Sequence, residues 1–236
     1  MDTVASKSVI VEKKKAREKL LGIVDPYSFR EIEGNLISGN PLCFKGYDEK
    51  LKNAIQFSGE NEAVIAGHAK LGGISCMVFI LEPQFMMGSI GSIAGEKITR
   101  AFEIATRKRL PVVSFSASGG ARMQEGVLSL MQMAKTSGAV SKHSRKKLLY
   151  VSVICDPTMG GVTASYASLA DIIVVEENAR FGFTGRRIVE YTTKRSLPDD
   201  FQKASYSQRR GQADLIVKPE CLRDTLITLL MFHKKK

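Results

Sequence analysis

The chain has no tryptophan, only three histidines and only four cysteines, and each scarcity closes off a class of chemistry. His68 stands in an apolar strand-like run, His143 in a basic stretch and His233 at the end of the last helix-like segment. None has a serine or cysteine beside it in a nucleophile motif, and Ser118 is not in a G-x-S-x-G turn. Cys43, Cys76, Cys155 and Cys221 lie far apart with no C-x-x-C pair, a spacing that excludes a zinc ribbon. No other metal-ligand spacing is present, so no metal site is expected. Cys76 and Cys155 adjoin apolar strand residues and are expected as buried free thiols. The glycine-rich segment 87–95 lacks the lysine of a P-loop and does not match the dinucleotide fingerprint. No apolar run is long enough to span a bilayer, and the first residues are polar and charged. Neither a membrane span nor a signal peptide is therefore expected, and the default location is cytoplasmic.

Cations are in surplus. Lys and Arg number 35 against 24 Asp and Glu, a net charge of +11. Much of that surplus is in runs: Lys13-Lys14-Lys15, Arg107-Lys108-Arg109, Arg145-Lys146-Lys147 and Lys234-Lys235-Lys236. The excess favours a polyanionic partner such as a phosphate-bearing cofactor, although solvated faces would account for runs of this kind as well. No aromatic residues are interleaved with the charges, so binding of nucleic acid has no support. With 236 residues and 44% hydrophobic content the chain suits one main domain, residues 16–236, behind a basic segment 1–15 whose first nine residues read as loosely attached.

Periodicity then gives an order of elements. Val11 to Ile23 reads as a basic helix stopped by Asp25-Pro26, residues 28–32 as a short strand and Leu51 to Phe57 as a short helix. Residues 63–69 and 74–80 read as two strands joined by a Leu71-Gly72-Gly73 hairpin turn. A helix follows with Ile98, Ala101, Phe102 and Ala105 on its apolar face. Later come strands at 171–175, 179–183 and 213–217, a helix starting at Gly185, a polar connection from Leu197 to Tyr206, and a C-terminal amphipathic helix from Pro219 to Phe232. Short strands alternating with helices indicate an α/β protein.

Between these stand two stretches of one design. Val112, Val113 and Phe115 form a buried-strand signal that meets Gly119-Gly120 and passes into a helix with Leu128, Leu130 and Met131. Residues 148–154 repeat the signal, followed by the turn Cys155-Asp156-Pro157-Thr158-Met159-Gly160-Gly161 and a small-residue helix from Val162 to Leu169. Paired glycines alone would only permit tight turns or close packing. Two such units in one chain suggest two pockets lined by backbone N–H groups on one sheet edge. With side-chain catalysts missing, the chemistry left is that of the backbone: adjacent amides at a helix N-terminus can hold a thioester oxygen as it becomes an enolate.

Three segments carry a resemblance. Residues 116–125 (Ser-Ala-Ser-Gly-Gly-Ala-Arg-Met-Gln-Glu), 130–137 (Leu-Met-Gln-Met-Ala-Lys-Thr-Ser) and 156–162 (Asp-Pro-Thr-Met-Gly-Gly-Val) are similar to the β subunit of bacterial acetyl-CoA carboxylase carboxyltransferase. The similarity runs from about Ala16 to the C-terminal helix and takes in segments 87–92, 182–185 and 211–217. The resemblance implies a crotonase-like fold of repeated ββα units across residues 16–236. It implies a carboxyltransferase α subunit as partner, in an α2β2 hetero-oligomer, and a biotin carboxyl carrier protein. The implied reaction moves a carboxyl group from carboxybiotin, which is not bound covalently to this chain, to acetyl-CoA, giving malonyl-CoA. It assigns an oxyanion hole to Gly160 and Gly161 and places Gly119 and Gly120 in the same pocket region. Gly88, Gly91, Met123 and Gly185 fall in the matching segments as candidate substrate-binding residues. Two departures stand out: most members carry a four-cysteine zinc ribbon, and Gly185-Arg186-Arg187 stands where Gly-Pro-Arg is usual. Arg122, Arg186 and Arg187 are candidate contacts for CoA phosphates; an internal ion pair is the competing role for Arg122. Two other readings fit the same residues: a malonyl-thioester decarboxylase subunit working without biotin, and a non-catalytic acyl-CoA-binding paralogue.

Overall fold

The apolar, β-branched runs assemble into one seven-stranded sheet whose order, β1 to β7, is the order of the chain. Its strands are β1 (Arg30–Ile32), β2 (Val64–Leu71), β3 (Ile74–Leu81), β4 (Val112–Ser118), β5 (Tyr150–Thr158), β6 (Ile172–Glu176) and β7 (Leu215–Val217). β1, β2 and β3 pair antiparallel. From β3 to β7 every pairing is parallel. The computed structural model describes residues 15–233. The expected loose segment 1–9, the first residues of the helix expected from Val11, Lys13-Lys14 and the terminal lysines lie outside that range.

Parallel neighbours need crossovers, and the helices supply them. α3 (Ser92–Lys108) links β3 to β4, and α4 (Gly126–Arg145) links β4 to β5. A short turn, α5 (Gly160–Val162), leads from β5 towards β6. α6 (Arg186–Thr193) and α7 (Ala204–Arg209) precede β7, and α8 (Leu222–Phe232) closes the chain. Before the hairpin come α1 (Ala16–Ile23) and α2 (Tyr47–Ser58). The four apolar residues expected on α3 are all fully buried. All seven residues of β4 are buried, as a strand covered on both faces must be. Val112 and Ile154 point into the core under α3 and α4, whereas Val113, Phe115 and Val153 point into the core under α1 and α8. The molecule is a three-layer α/β/α stack.

The ββα unit is complete once, in β2, β3 and α3. In later units the second strand shrinks to single bridges, Ile90–Ala121 and Thr158–Phe181, with Ser118–Thr158 between them. The strand expected at 179–183 is one of these reductions: Arg180 bridges Lys203, Phe181 bridges Thr158, and no ladder extends further. The helix expected from Val162 to Leu169 is interrupted. After α5 the chain makes a π turn over Thr163–Ala167 with Ser165 out of helical geometry (φ −116°, ψ −115°). There the Ser165 hydroxyl donates to Gly161 O at 2.6 Å, a side-chain bond that competes with the helical ladder. The connection expected from Leu197 to Tyr206 contains the start of α7, and α2 begins four residues before the expected Leu51.

The hairpin turn forms at Gly72-Gly73, both with positive φ (+56° and +76°), the geometry a two-residue turn between twisted strands demands. Asp25 clasps it: its carboxylate accepts from Gly72 N (2.9 Å) and Gly73 N (2.7 Å), and from Arg223 of α8 (2.7 Å). The two backbone bonds, with the Arg223 charge, hold this carboxyl below the usual aspartate range despite some desolvation. Its folded pKa is depressed, so its contribution is present above the unfolded value and is lost as pH falls through the folded one. Asp25→Ala should cost about 1–3 kcal/mol at neutral pH. Thermal melts should show the gap to wild type closing below the ordinary aspartate pKa; an equal gap at both ends would remove the clasp from the account.

Candidate active site

Both glycine turns leave the sheet at its carboxyl edge, one after β4 and one after β5, where ligands of open α/β sheets bind. They do not form two pockets but pack against each other. A Cβ on Gly120 would lie 3.1 Å from the Gly161 nitrogen, and one on Gly160 would lie 3.3 Å from Gly119 O. Gly120 (φ +111°) and Gly160 (φ +60°) also have backbone angles that side chains disfavour. Glycine is required here by contact and by conformation together.

The hydrogen bonds sort the amides. Gly119 N–H donates to Met87 O (2.9 Å) and Gly160 N–H to Phe183 O (2.9 Å). Gly120 N–H donates to the Ser118 hydroxyl (3.0 Å), which itself donates to Gly88 O (2.7 Å). Three of the four expected donors are thus engaged in holding the turns. Among the described residues, the Gly161 and Ala121 N–H groups have no acceptor, and the Ala121 nitrogen is 3.6 Å from where a Gly161 Cβ would stand. Ala121 was not singled out by sequence. Its signal was positional, the first non-glycine after the pair, and the Ile90 bridge that turns its N–H outward is a tertiary contact.

A cleft of about 570 Å³ opens beside the Ala121 amide, lined by Gly119, Ala121 and Met123 and by Met87, Phe57 and Lys50; Gly161 lies behind it, buried and outside the lining. Met123, a candidate contact, stands in it with 85% of its surface exposed. Gly88 and Gly91 are not in it. A Cβ on Gly88 would sit 2.2 Å from Ala117 O, and one on Gly91 would strike the Glu125 carboxylate at 2.2 Å. These two glycines allow the 85–92 segment to lie against the β4 turn and do not face a ligand. Gly185 caps α6 with open space around it, and Arg187 is exposed. Arg186 is spent on Glu190 (3.0 Å) and on the carbonyls of Leu197 and Pro198. It thereby ties off the α6 turn from the side-chain side.

Arg122 corrects the expected phosphate contact, because its guanidinium is fully buried. It donates to Glu62 (2.5 and 3.1 Å), Ser89 O (2.8 Å), the Ser38 hydroxyl (3.0 Å) and the Tyr47 hydroxyl (3.2 Å), and lies 3.4 Å from Glu125. Burial alone would lower its pKa, but Glu62 and hydrogen bonding keep it raised, so the charge is permanent. Glu125 in turn accepts from Tyr47 OH (2.7 Å) and from Ser92 N and Oγ (both 2.6 Å) at the start of α3. Burial pushes the Glu125 carboxyl up; the Ser92 and Tyr47 bonds and the Arg122 charge outweigh it and hold it low.

A scan against protein families matches residues 13–230 to the carboxyl transferase domain. Among curated relatives, the acetyl-coenzyme A carboxylase carboxyl transferase subunit beta of Ruminiclostridium cellulolyticum is 54% identical over 92% of this chain and 76% of its own length. The subunit of the same name from Alkaliphilus oremlandii is 49% identical over 93% of this chain and 80% of its own. The chain belongs to the carboxyl transferase family. Of solved structures, transcarboxylase 12S, with methylmalonyl-coenzyme A bound, superposes with a TM-score of 0.82 at 24% identity; the match covers 93% of this chain and 42% of that one. The Pseudomonas malonate decarboxylase MdcD–MdcE hetero-dimer gives 0.73 at 22% identity, with 93% and 86% coverage. At such identities the likeness is one of fold, the crotonase-like carboxyl transferase fold.

Other groups near the edge of this carboxyl transferase fold supply no nucleophile. The Cys155 thiol is buried on the α1 side of β5 and is pushed up to about 12 by desolvation, against a Lys19 ammonium 3.2 Å away. Cys76 is buried as expected, while Cys43 and Cys221 are exposed. His143 is sealed between Thr106 (2.9 Å) and Leu149 O (3.3 Å) near the opposite sheet edge. Among the described residues no cluster of His, Cys, Asp and Glu could hold a metal, and no helix is long and apolar enough to cross a membrane.

Removing the Arg122 side chain would leave Glu62 and Glu125 buried beside each other without their cation. Arg122→Ala should therefore cost about 3–5 kcal/mol in urea unfolding, where a mere loss of a ligand contact would leave the midpoint unchanged.

Proposed function

We infer that this chain is the β-type carboxyltransferase subunit of an acetyl-CoA carboxylase, forming malonyl-CoA from acetyl-CoA. One observation carries the reading: two acceptorless amides, Gly161 and Ala121, stand close together where the glycine turns meet, and Ala121 lines an open cleft that holds no histidine or cysteine. Fixed N–H donors of this kind stabilise the oxygen of a thioester as the methyl group loses a proton and the enolate forms. Stabilisation of that charge, rather than covalent chemistry, is what the site supplies. The parallel curated subunits, half identical along nearly the whole chain, favour this reading over the decarboxylase, whose likeness stops at 22% identity.

The residues also suit the groups the reaction needs. Lys50 puts a cation on a cleft wall with Phe57 and Met86 beside it, an amphipathic surface of the sort a CoA thioester requires. Carboxybiotin, carried on a separate protein, would supply the carboxyl group. The side of the cleft beyond Met123 has no wall among the described residues. There Met123, Val127, Leu130 and Met131 stand 85%, 61%, 54% and 60% exposed, spaced as one face running from the turn into α4. An apolar stripe of that kind beside an unfinished pocket is suited to a partner subunit. In the proposed complex that partner is the carboxyltransferase α subunit, which completes the site and admits the biotin carrier.

The test is Gly161→Ala in the complex reconstituted with α subunit and biotin carrier. A Cβ there meets the Met133 thioether at 2.6 Å, a flexible group that can yield, so the fold should survive. Crowding the donor should lower kcat for malonyl-CoA formation about 100-fold or more, with the melting temperature preserved. Gly120→Ala, strained at φ +111° against backbone, should instead lower the melting temperature. Normal turnover by Gly161→Ala would end the assignment, and strong malonyl-CoA formation by the isolated chain would end the role given to the partner.

A further inference from the structure

The opposite edge of the sheet carries a feature the proposed reaction does not use. α3 and α4 lie side by side and both end there, each feeding its next strand. Their last turns and exits hold Arg107, Lys108, Arg109, Lys142, Arg145, Lys146 and Lys147, seven cations within two short segments. Between the two helix ends is a cleft of about 390 Å³, lined by Arg107, Arg109, Lys142, Lys146, Thr106, Ala139 and one acid, Glu103. None of the seven forms an ion pair among the described residues; Lys108 reaches only the His68 ring nitrogen, at 3.1 Å.

Helix C-termini attract cations, so part of this clustering has a local cause. Its size does not. Two helix ends present about one negative charge together, and Glu103 adds another, against seven cations. Several positive charges at close quarters are left unbalanced, at a cost in mutual repulsion. A second cost lies in the backbone. Arg109 (φ +56°) and Lys147 (φ +55°), the residues that turn the chain out of α3 and past the end of α4, occupy the left-handed region, where glycine would be relaxed. At both helix exits a cation stands where glycine is cheaper.

We propose that this cleft is a binding site for a ligand bearing a chain of three or more phosphates, such as inorganic tripolyphosphate or a nucleoside triphosphate. Four convergent cations, Arg107, Arg109, Lys142 and Lys146, match a polyphosphate charge. The lining has no aromatic side chain, so it offers no platform for a base, and a single nucleic acid strand would find nothing to stack on. The phosphate chain is the recognised element. The site is separated from the glycine turns by the full length of β4 and β5, so its occupancy does not compete with an acyl-CoA.

Calorimetric titration of the intact protein at physiological ionic strength, with tripolyphosphate, ATP and AMP, tests this. Tripolyphosphate and ATP should each bind at least tenfold more tightly than AMP. Equal affinity for the first two assigns the site to the phosphate chain alone, and a tenfold preference for ATP assigns it to a nucleotide. Lys142→Glu with Lys146→Glu should abolish binding and leave the KM for acetyl-CoA in the reconstituted complex unchanged. Arg109→Gly should weaken binding tenfold or more while leaving the melting temperature equal or higher, a pairing that a structural role for Arg109 would not give. The proposal falls if tripolyphosphate fails to bind, if the double variant binds it normally, if saturating CoA displaces it, or if a short RNA binds more tightly through the same residues.

Discussion

The contact between the two glycine turns is the constraint on which the site depends. Because Gly120 has no Cβ, which would stand only 3.1 Å from the Gly161 nitrogen, two separate strand ends become one surface. Neither turn could take that position alone. Each has its own amides bonded away, to Met87, Ser118 and Phe183, and what remains unbonded, at Ala121 and Gly161, is produced by the juxtaposition. Preorganisation of this sort removes the need to reorient dipoles when charge develops. The cost is conformational, and it is met by glycine at positive φ where any other residue would be strained.

Arg122 holds the surroundings of that contact. One guanidinium joins Glu62 ahead of β2, Ser38 of the preceding loop, Tyr47 at the head of α2 and Ser89 beside the β4 turn. Through Glu125 the same network reaches Ser92 at the start of α3. A buried ion cluster is a poor source of net stability but specifies one arrangement strongly, since every alternative leaves a charge unpaired. Here it registers the α2 wall of the cleft, and with it Lys50 and Phe57, against the amides.

How much of this was legible in the sequence follows from the range of each interaction. β4, β5 and the α3 face were readable because burial on a sheet or helix imposes a local period. The Gly72-Gly73 turn was readable because two residues fix their own geometry. The glycine pairs were visible as motifs, but which of their amides stay unbonded was not, since Met87 O and Phe183 O reach them from elsewhere in the chain. Arg122 shows the same limit. Nothing in Gly-Ala-Arg-Met states whether its charge faces a phosphate or a glutamate sixty residues earlier. The strand expected at 179–183 had the right local pattern, but its neighbours meet it only at single bridges.

Strand order equal to chain order has a consequence for how the molecule is made. Each strand hydrogen-bonds to the one synthesised just before it. Every pairing therefore closes a loop no longer than the single connection between consecutive strands, and the entropic cost of each step grows only slowly with that length. A chain leaving the ribosome can extend the sheet strand by strand, with each new edge exposed only until the next crossover arrives. The exception is α8, which reaches back to the opening hairpin through Arg223 on Asp25 and Ile227 against Gly72. The face laid down first is the last to be covered, so the final helix locks a sheet that is already built.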